Sequence, residues 1–374
     1  MAIEQLRQEI DKLDIQLVEL LAKRQEITAA VGVYKKEVGK PIYDPEREAE
    51  LIAKRRALAE SLHLSPDLVE DLLRRIMRES YQSQHNSYLC VNPGAKIVII
   101  GGRGALGSRF TEMFQRSGYR VEVLEQGDWP HAEKIIAGAK LVLISVPIDL
   151  TLDIIRQLPQ LDADCVLADL TSLKEQPIEA MLECHTGPVL GLHPMFGPDV
   201  QNFVKQVVVA CHGRREADYL WLLQQIEIWG AVLQNDEAKS HDKSMQLIQA
   251  MRHFTTYVYG RFLSQQNADL NQLLRLSSPI YRLELAMTGR LFAQNSELYA
   301  DIIYGAEQAE ELANSFLQEL NLAIEDLTNN DKVAFSAKFS VVADWFGDKA
   351  QEFLKDSRAL LQSAHDARDI SSDV

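Results

Sequence analysis

The amino-acid sequence predicts a multidomain chain with an all-α region, an α/β Rossmann-like region and a second all-α region. In residues 1–85 the apolar residues recur at helical spacing, every three or four positions. Between residues 96 and 211 short apolar strands alternate with helical segments, as is typical of a doubly wound parallel sheet. From about residue 237 only helical periodicity is found. We place the domain boundaries at 1–90, 91–236 and 237–374.

The bulk composition argues against several classes of protein. The 374 residues are 46% hydrophobic, which is enough to fill well-packed cores, and no run of eighteen apolar residues could span a membrane. The net charge of −15 argues against broad binding of nucleic acid or phospholipid. The first residues lack the apolar core of a signal peptide, and the four cysteines have neither metal-ligand nor disulfide spacing. We therefore expect a cytoplasmic protein without a bound metal.

Stop and start signals divide residues 1–85 into three helices. The first helix is expected to run to about Glu37 and to end at Gly39. The second begins with Asp44 as a plausible cap and Pro45 at the first position, and the third begins in the same way at Ser65. At 1.5 Å per residue the first helix is about 50 Å long, too long for a compact unit of this size to cover. We therefore expect it to pack against a second copy in a homodimer.

An arginine interrupts the apolar stripe of the first helix. Arg24 stands where the stripe should continue, so its guanidinium is expected to point to the buried side. The stripe consists of Ile3, Leu6, Ile10, Leu13, Leu17, Leu20, Ile27, Val31 and Tyr34. An unpaired buried charge is costly, so the arginine needs a partner. An internal salt bridge and a small anionic ligand are both open readings.

Further polar residues interrupt the apolar faces of the same three helices. Arg7 lies about 25 Å from Arg24 along one helix, so only an antiparallel partner helix could bring the two together. Taken singly, each of these side chains could be solvated or salt-bridged. Together they predict a cationic, polar pocket between three helices. Its candidates are Arg7, Arg24, Lys35, Asp44, Arg47, Glu48, Ser80 and Gln84.

At this point the sequence resembles a known family, the all-helical chorismate mutases. The segments LRQEIDKLD, LLAKR, VGVYK, DPERE and RESYQSQ carry the resemblance across residues 1–85. The resemblance implies that Arg7 comes from the other subunit, and that Arg7 and Arg24 bind the carboxylates of chorismate. It also implies that Lys35 and Gln84 face the ether oxygen and that Glu48 binds the ring hydroxyl. A pericyclic rearrangement to prephenate transfers no proton, so cations and donors that hold the substrate in a compact shape suffice.

A glycine-rich loop follows the first apolar strand of the second region. Gly102, Gly104 and Gly107 form a GxGxxG motif between the strand KIVIIGG and a helix expected over 105–117. Glycine lets the backbone approach a pyrophosphate at the helix N-terminus. Glu125 ends the second strand, where it would bind ribose hydroxyls and repel a 2′-phosphate, which favours NAD over NADP. The polar residues 83–95 ahead of this region predict a linker.

Two later loops are candidates for a second chemical site. Ser172 lies in DLTSLK, and His193 lies in GLHPMFGP directly after an apolar strand, where a turn could present its ring at the sheet edge. A histidine there could accept a proton near neutral pH. In the helical region Arg290 could pair with a substrate carboxylate. His241 lies on an earlier helix and by itself would be structural.

Residues 96–374 resemble prephenate dehydrogenase. The segments LGLHPMFGPD, KQVVV, QAMRHF, SSPIYRLELAM, GRLFAQ and LYADII carry the resemblance, which is poorest after Tyr304. It implies that His193 is the acceptor and base for the ring hydroxyl and that Arg290 binds a carboxylate. Ser172 and His241 would position substrate and nicotinamide, and His185 would lie near the nicotinamide. The whole chain thus resembles the bifunctional chorismate mutase–prephenate dehydrogenases. The resemblance implies NAD as cofactor, 4-hydroxyphenylpyruvate as product and tyrosine as feedback inhibitor.

Two other functions remain open from the sequence. The dehydrogenase could use arogenate, the amino analogue of prephenate, and make tyrosine directly. Alternatively, the chain could be a regulatory ligand-binding protein in which one or both sites are catalytically dead. The presence of Lys35, Gln84 and His193 argues against the regulatory reading, because a dead site would be expected to lose them.

Overall fold

The computed structural model describes residues 3–83 and 87–366. The chain forms two compact units, Met1–His241 and Asp242–Val374. The first unit contains three helices followed by an α/β sheet, and the second is helical. The predicted fold class is therefore confirmed in its order of all-α, α/β and all-α parts. The residue boundaries drawn between the three domains stay a prediction.

Three helices open the first unit, with the ends that the capping signals predicted. They are α1 (Ile3–Glu37), α2 (Pro45–Ser61) and α3 (Pro66–Ser83). After α1 the chain turns at Gly39, whose φ of +68° suits a residue without a side chain. Asp44 caps α2, since its Oδ1 accepts the backbone N–H of Arg47 at 3.0 Å. The three-helix interpretation is confirmed.

The apolar stripe of α1 is not covered by the rest of the chain. Leu17 is 57% exposed and Leu20 is 64% exposed, and the other apolar members of the stripe are also exposed. Arg24, in contrast, is half-buried beside α3. A helix of 35 residues is about 52 Å long, far more than the 17 and 18 residues of α2 and α3 can shield. The stripe is thus uncovered in a single copy of the chain, as expected for a helix that packs against a second copy, and that packing stays a prediction.

The sheet of the first unit has the doubly wound order β2-β1-β3-β4-β5-β6-β7. All neighbouring strands are parallel except β5 and β6, which pair antiparallel. The first six strands correspond to predicted ones, whereas the short edge strand β7 was missed because its four residues carry little apolar signal. The strands are β1 (Lys96–Ile100), β2 (Arg120–Leu124), β3 (Leu141–Ile144), β4 (Val166–Asp169), β5 (Val189–Pro194), β6 (Val207–Arg214) and β7 (Val232–Asn235).

Helices cover both faces of this sheet, which explains why its central strands read as continuous apolar runs. Every residue of β3, β4 and β5 is buried. Two hydrophobic clusters result, one on each face. The covering helices are α4 (Ala105–Arg116), α5 (Ala132–Ile136), α6 (Ile148–Arg156), α7 (Glu175–Cys184) and α8 (Leu220–Ile228).

The segment predicted as a linker is packed against the sheet domain from residue 87 onward. Tyr88 is 3% exposed, and its N–H donates to the carbonyl of Arg116 at 3.2 Å. The buried Gln225 amide accepts the N–H of Val91 at 3.0 Å and donates to the carbonyl of Leu89 at 3.1 Å. Burial of these backbone groups requires such partners. The predicted linker is therefore packed from residue 87 onward, where Gln225 of a distant helix supplies hydrogen bonds to its backbone.

The second unit is built from helices. A π-helical turn (Gln246–Met251) interrupts the first of them, between α9 and α10. Within residues 3–83 and 87–366, each helix is either too short or too polar to span a lipid bilayer. The helices are α9 (Ala238–Met245), which begins in the first unit, α10 (Arg252–Gln265), α11 (Leu270–Leu276), α12 (Pro279–Phe292), α13 (Ser296–Tyr304), α14 (Ala309–Thr328), α15 (Lys332–Phe346) and α16 (Lys349–Asp366).

Candidate active sites

Arg24 of α1 contacts Ser80 of α3. Its Nη1 donates to the Ser80 hydroxyl oxygen at 2.6 Å, and that hydroxyl in turn donates to the carbonyl of Ile76 at 2.8 Å. Among the described residues, no carboxylate lies within ion-pair distance of this guanidinium. The internal salt bridge considered from the sequence is therefore not formed with any residue that the structure describes, and the guanidinium instead contacts a neutral hydroxyl. Such an arrangement leaves the arginine able to bind an anion.

Lys35 lies on the same face of α1 as Arg24, in the last turn of the helix. Its ammonium donates to the carbonyl of Ile42 at 2.7 Å. Burial lowers the pKa of Lys35, and the nearby carboxylate of Asp44 opposes that effect. Asp44 itself is engaged as the cap of α2, and Arg47 is exposed and pairs with Glu50 at 3.0 Å. Lys35 is thus held beside the start of α2.

Glu48 is the most buried charged group among these helices, at 7% exposure. Its Oε1 accepts from Arg74 at 3.2 Å and from Lys205, and its Oε2 accepts the Tyr81 hydroxyl at 2.9 Å. Burial and the neighbouring carboxylate raise the pKa of Tyr81, so this hydroxyl remains a donor. The sequence did not single out Arg74 or Lys205. Helical spacing could have suggested Arg74, whereas nothing in the sequence links Lys205 to this carboxylate.

The structure leaves Arg7 apart from the other predicted members of the mutase pocket. Arg7 is exposed on α1 and pairs with Glu4 of its own helix at 3.4 Å, with both side chains mostly solvated. This position agrees with the expectation that Arg7 serves another subunit, but it does not test it. Gln84 lies outside the described residues.

The glycine-rich loop forms a tight turn between β1 and α4. Gly101 has a φ of +76°, and a Cβ at this position would lie 2.3 Å from the carbonyl oxygen of Ser145. A Cβ on Gly107 would lie 2.3 Å from the carbonyl oxygen of Gly101. Gly104 precedes the first residue of α4, whose N-terminal N–H groups can bind a phosphate, and Gly102 packs against β2. Gly101 was not among the predicted residues, although it stands directly before Gly102 in the sequence.

Glu125 follows β2 at the same edge of the sheet. Its Oε1 accepts the backbone N–H of Arg103, the residue inside the glycine motif, at 2.8 Å. The carboxylate therefore lies beside the loop, where it could accept hydrogen bonds from the ribose hydroxyls of a dinucleotide. A bare-backbone turn, a helix N-terminus and an adjacent carboxylate fit a dinucleotide such as NAD.

His193 lies at the carboxyl end of β5 and is 3% exposed. Its Nδ1 is 2.8 Å from Nε2 of His241. From the sequence alone His241 was expected to have a structural role, whereas here it contacts the candidate base. Burial, the charge of Lys174 and His241 hold the pKa of His193 well below its usual value. The imidazole is therefore neutral at pH 7 and able to accept a proton. It is part of the strand rather than of the turn that the sequence suggested.

A buried ion pair lies directly behind His193. Asp169, at the end of β4, and Lys174 are both fully buried, and Lys174 Nζ lies 2.5 Å from Asp169 Oδ2. The same ammonium donates to the carbonyl of Leu192 at 2.8 Å, one residue before His193. Ser172 is half-buried in the loop between the two charges. The sequence singled out DLTSLK for its serine, but the aspartate and lysine that flank the serine were missed.

His185 does not lie with the other predicted cofactor residues. Its Nε2 is 2.7 Å from the carbonyl oxygen of Cys165, which immediately precedes β4. His185 itself precedes β5, so it lies at the amino-terminal edge of the parallel strands. The glycine loop and His193 lie at the opposite, carboxyl edge. The expectation that His185 approaches the nicotinamide is therefore corrected: this buried ring bridges two loops on the far side of the sheet.

In the second unit Arg290 lies on α12 and is exposed. Arg282, on the same helix, donates to the carbonyl of Leu274 at 3.1 Å. His253 packs edge-to-face against Tyr299 with ring centroids 4.8 Å apart, and burial lowers its pKa to about 4. Of these residues, Arg290 keeps its place as a carboxylate-binding candidate. Within the described residues, no group of three or more His, Cys, Asp or Glu side chains could hold a metal ion.

Three family models match this chain. Chorismate mutase type II matches residues 6–85, and the nucleotide-binding and dimerization domains of prephenate dehydrogenase match residues 118–233 and 237–340. The T-protein of Enterobacter agglomerans is 52% identical over 365 residues, which cover 97% of this chain and 98% of that protein. The chain belongs to the T-protein family. It is a bifunctional enzyme of tyrosine biosynthesis, a chorismate mutase joined to an NAD-dependent prephenate dehydrogenase.

Another T-protein and one solved structure extend the comparison. The T-protein of Haemophilus influenzae is 50% identical over 370 residues and is covered to 98%, as is this chain. The crystal structure of prephenate dehydrogenase from A. aeolicus, in complex with hydroxyphenyl propionate and NAD+, has a TM-score of 0.52 at 15% identity. That match covers 69% of this chain and 99% of the other, and it shows a shared fold.

Proposed function

We propose that the mutase reaction takes place in the pocket of α1, α2 and α3 and that the dehydrogenase reaction takes place at His193. The observation that carries this assignment is the buried, neutral His193 at the carboxyl edge of the sheet, paired with His241. Ligands of open α/β sheets bind beyond this edge. The glycine loop follows β1 at the same edge, which supports a cofactor site beside the histidine pair.

In the proposed mutase pocket, the side chains hold the substrate rather than exchange protons with it. Arg24, kept in place by Ser80, is the cation for a substrate carboxylate. Lys35 and Gln84 are the donors proposed for the ether oxygen, where negative charge develops in the rearrangement. Glu48 is proposed to accept the ring hydroxyl of chorismate. Fixed cations and donors of this kind stabilise the compact transition state without reorganising during the reaction.

Four further residues complete the proposed mutase pocket. Arg7 of the partner subunit would bind the second carboxylate, because it is too far along α1 to reach Arg24 in its own chain. Asp44 and Arg47 lie at the start of α2, where they would shape the rim of the pocket. The remaining residue, Lys205, is argued separately below.

In the proposed dehydrogenase site, His193 draws the proton from the ring hydroxyl of prephenate. Acceptance at Nε2 requires a proton on Nδ1, which then donates to Nε2 of His241. His241 thus fixes the tautomer of the base. A bound NAD⁺ would supply the hydride acceptor for the carbon that carries the hydroxyl, and loss of the ring carboxylate as CO₂ would complete the aromatic ring. The product is 4-hydroxyphenylpyruvate.

The remaining residues of this site bind and orient. Gly102, Gly104 and Gly107 would hold the dinucleotide pyrophosphate at the N-terminus of α4, and Glu125 would bind the ribose. Ser172, in the loop after β4, would position the substrate. The family resemblance alone supports Arg290, in the second unit, as the partner of a substrate carboxylate.

We extend the proposal to the assembly and its control. The uncovered apolar stripe of α1 supports a homodimer in which a second α1 covers it. Exposed aromatic residues on α15, such as Phe339 and Trp345, support a further contact between copies. Inhibition of both activities by tyrosine is implied by the family resemblance, and a cytoplasmic location is consistent with four free cysteine thiols.

A substitution at His193 tests the dehydrogenase assignment. His193→Asn should reduce the turnover of prephenate by at least 100-fold, because a positioned general base contributes about 10²–10⁴-fold. Chorismate turnover and NAD affinity, measured on the same preparation, should change less than twofold. His212→Asn, at a histidine of β6 outside both proposed sites, is the control. Equal loss of both activities in His193→Asn would indicate damaged folding, and full dehydrogenase activity would refute the assignment.

A further inference from the structure

A lysine of the sheet domain reaches the buried carboxylate of the mutase domain. Lys205 lies in the connection between β5 and β6, and its ammonium contacts Oε1 of Glu48. The ammonium also lies 5.1 Å from the ring centroid of Tyr43, within reach of a cation–π contact. The contact therefore joins two parts of the chain that are separated by more than 150 residues.

The backbone around Lys205 is fixed in an unusual conformation. Lys205 has a φ of +62°, in the left-handed region that residues with a side chain rarely adopt. Its N–H donates to the carbonyl of Gly230 at 2.9 Å, and the preceding N–H of Val204 donates to Oδ1 of Asn202 at 3.0 Å. Surrounding contacts must hold such a conformation in place. The lysine is thus presented to Glu48 by a rigid turn rather than by a loose surface loop.

Apolar packing holds this turn against the mutase domain. Phe203 is 1% exposed and Val204 is 7% exposed, and both belong to the hydrophobic cluster that contains Ile42, from the chain between α1 and α2. Tyr43 and Tyr81 pack against the same cluster. A shared cluster fixes the distance between the turn and the start of α2. Lys205 is therefore a fixed member of the surroundings of Glu48.

The hydrogen bonds of Glu48 leave room for one more donor. An ionised carboxylate has about four acceptor positions. Arg74 and Lys205 use two on Oε1, and Tyr81 uses one on Oε2. Within residues 3–83 and 87–366 no further donor to Glu48 is found, so the remaining position, on Oε2, can accept a hydroxyl of the substrate. Because Arg74 and Lys205 both bind Oε1, they fix the orientation of the Glu48 carboxylate and with it the direction in which Oε2 can accept a further hydrogen bond.

We propose that Lys205 is a positioning residue of the chorismate mutase site, supplied by the dehydrogenase part of the chain. It orients Glu48 so that the carboxylate presents one acceptor to the ring hydroxyl of chorismate. This inference rests on the proposed role of Glu48. It also gives the fusion of the two enzymes a chemical consequence, because the mutase site is complete only when the sheet domain is attached.

The test is a comparison of neutral and cationic replacements in the full-length protein. Lys205→Met keeps the length of the side chain but removes its charge, and it should lower kcat/KM for chorismate about tenfold. Lys205→Arg should remain within threefold of the wild type. Lys134→Met, at an exposed lysine on α5, should have no effect on the mutase. The dehydrogenase reaction with prephenate, assayed on every variant, reports whether the sheet domain is intact.

A double-mutant cycle separates positioning from a general structural role. If Lys205 acts through Glu48, adding Lys205→Met to Glu48→Gln should cause no further loss of kcat/KM. Additive losses would show that the lysine acts elsewhere and would overturn the inference, as would wild-type mutase kinetics in Lys205→Met. Wild-type kinetics in Glu48→Gln would instead refute the proposed role of Glu48. The two failures are therefore distinguishable.

Discussion

The buried pair of Asp169 and Lys174 should be the most sensitive electrostatic element of the sheet domain. Both side chains are fully shielded from solvent, and their charged atoms are 2.5 Å apart. Asp169→Asn keeps the shape but removes one charge. It takes the negative charge of Asp169 away from the buried Lys174 ammonium, which still donates to the carbonyl of Leu192. Removing one partner of a buried pair costs about 3–5 kcal/mol.

This cost corresponds to a large shift in thermal stability. For a unit of about 150–250 residues, 1 kcal/mol lowers Tm by about 2–4 °C. Asp169→Asn should therefore lower the Tm of the first unit by about 6–20 °C. Thermal unfolding followed by far-ultraviolet circular dichroism measures this shift. The double variant Asp169→Leu with Lys174→Met should recover most of the loss, because it removes both charges and leaves apolar groups.

A second lysine–aspartate pair in the same domain provides the control. Lys140 and Asp164 form an ion pair in which the side chains are 46% and 62% exposed. Solvent screens such a pair, and its contribution is about 0–1 kcal/mol. Asp164→Asn should therefore change Tm by less than about 4 °C. If Asp169→Asn is no more destabilising than Asp164→Asn, the reasoning from burial is refuted.

Four further predictions concern the nucleotide loop, the base and the second unit. Gly107→Ala places a methyl group 2.3 Å from the carbonyl oxygen of Gly101, so NAD binding measured by calorimetry should weaken at least tenfold while chorismate turnover is kept. The pKa of His193 is held well below 6.5, so kcat/KM for prephenate should be flat above neutral pH and fall only below 6.5; a midpoint at or above 6.5 contradicts this. The pKa of His253 is about 4 in the folded state and 6.5 in a solvated histidine, so the unfolded state gains the proton first as pH falls, and His253→Gln should lessen the loss of Tm between pH 6.5 and 4. Arg290→Gln should raise the KM for prephenate about tenfold with less effect on kcat, and an unchanged KM would exclude the proposed ion pair.

The sequence predicted local structure best where a residue acts on its own backbone. Asp44 and Pro45 correctly predict the start of α2, because helix capping depends only on residues that are neighbours in the sequence. The first six strands were recognised because buried parallel strands are short, continuous apolar runs. The short edge strand β7 lacks that signal and was missed. Resemblance to known families then assigned roles to His193 and Glu48, which spacing alone could only suggest, and those roles stay predictions.

Contacts between distant parts of the chain could not be predicted in this way. The pairing of His241 with His193 depends on where α9 begins relative to the end of β5. The contact of Lys205 with Glu48 depends on a left-handed turn and on the packing of residues near 43 and 203. The exposed stripe of α1 shows another limit of the sequence. Helical periodicity predicts that an apolar face is buried, but it does not say whether the same chain or a second copy covers that face.

The most direct test of the two-site account is an absorbance assay of the purified chain with chorismate, first alone and then with NAD⁺. The account predicts that chorismate is consumed in both reactions and that NADH forms only when NAD⁺ is present. If chorismate disappears without formation of NADH, the proposed site around His193 does not perform the second reaction, and arogenate and NADP⁺ should be tried in its place. If chorismate is not consumed at all, the pocket of α1, α2 and α3 is not the mutase site that we propose.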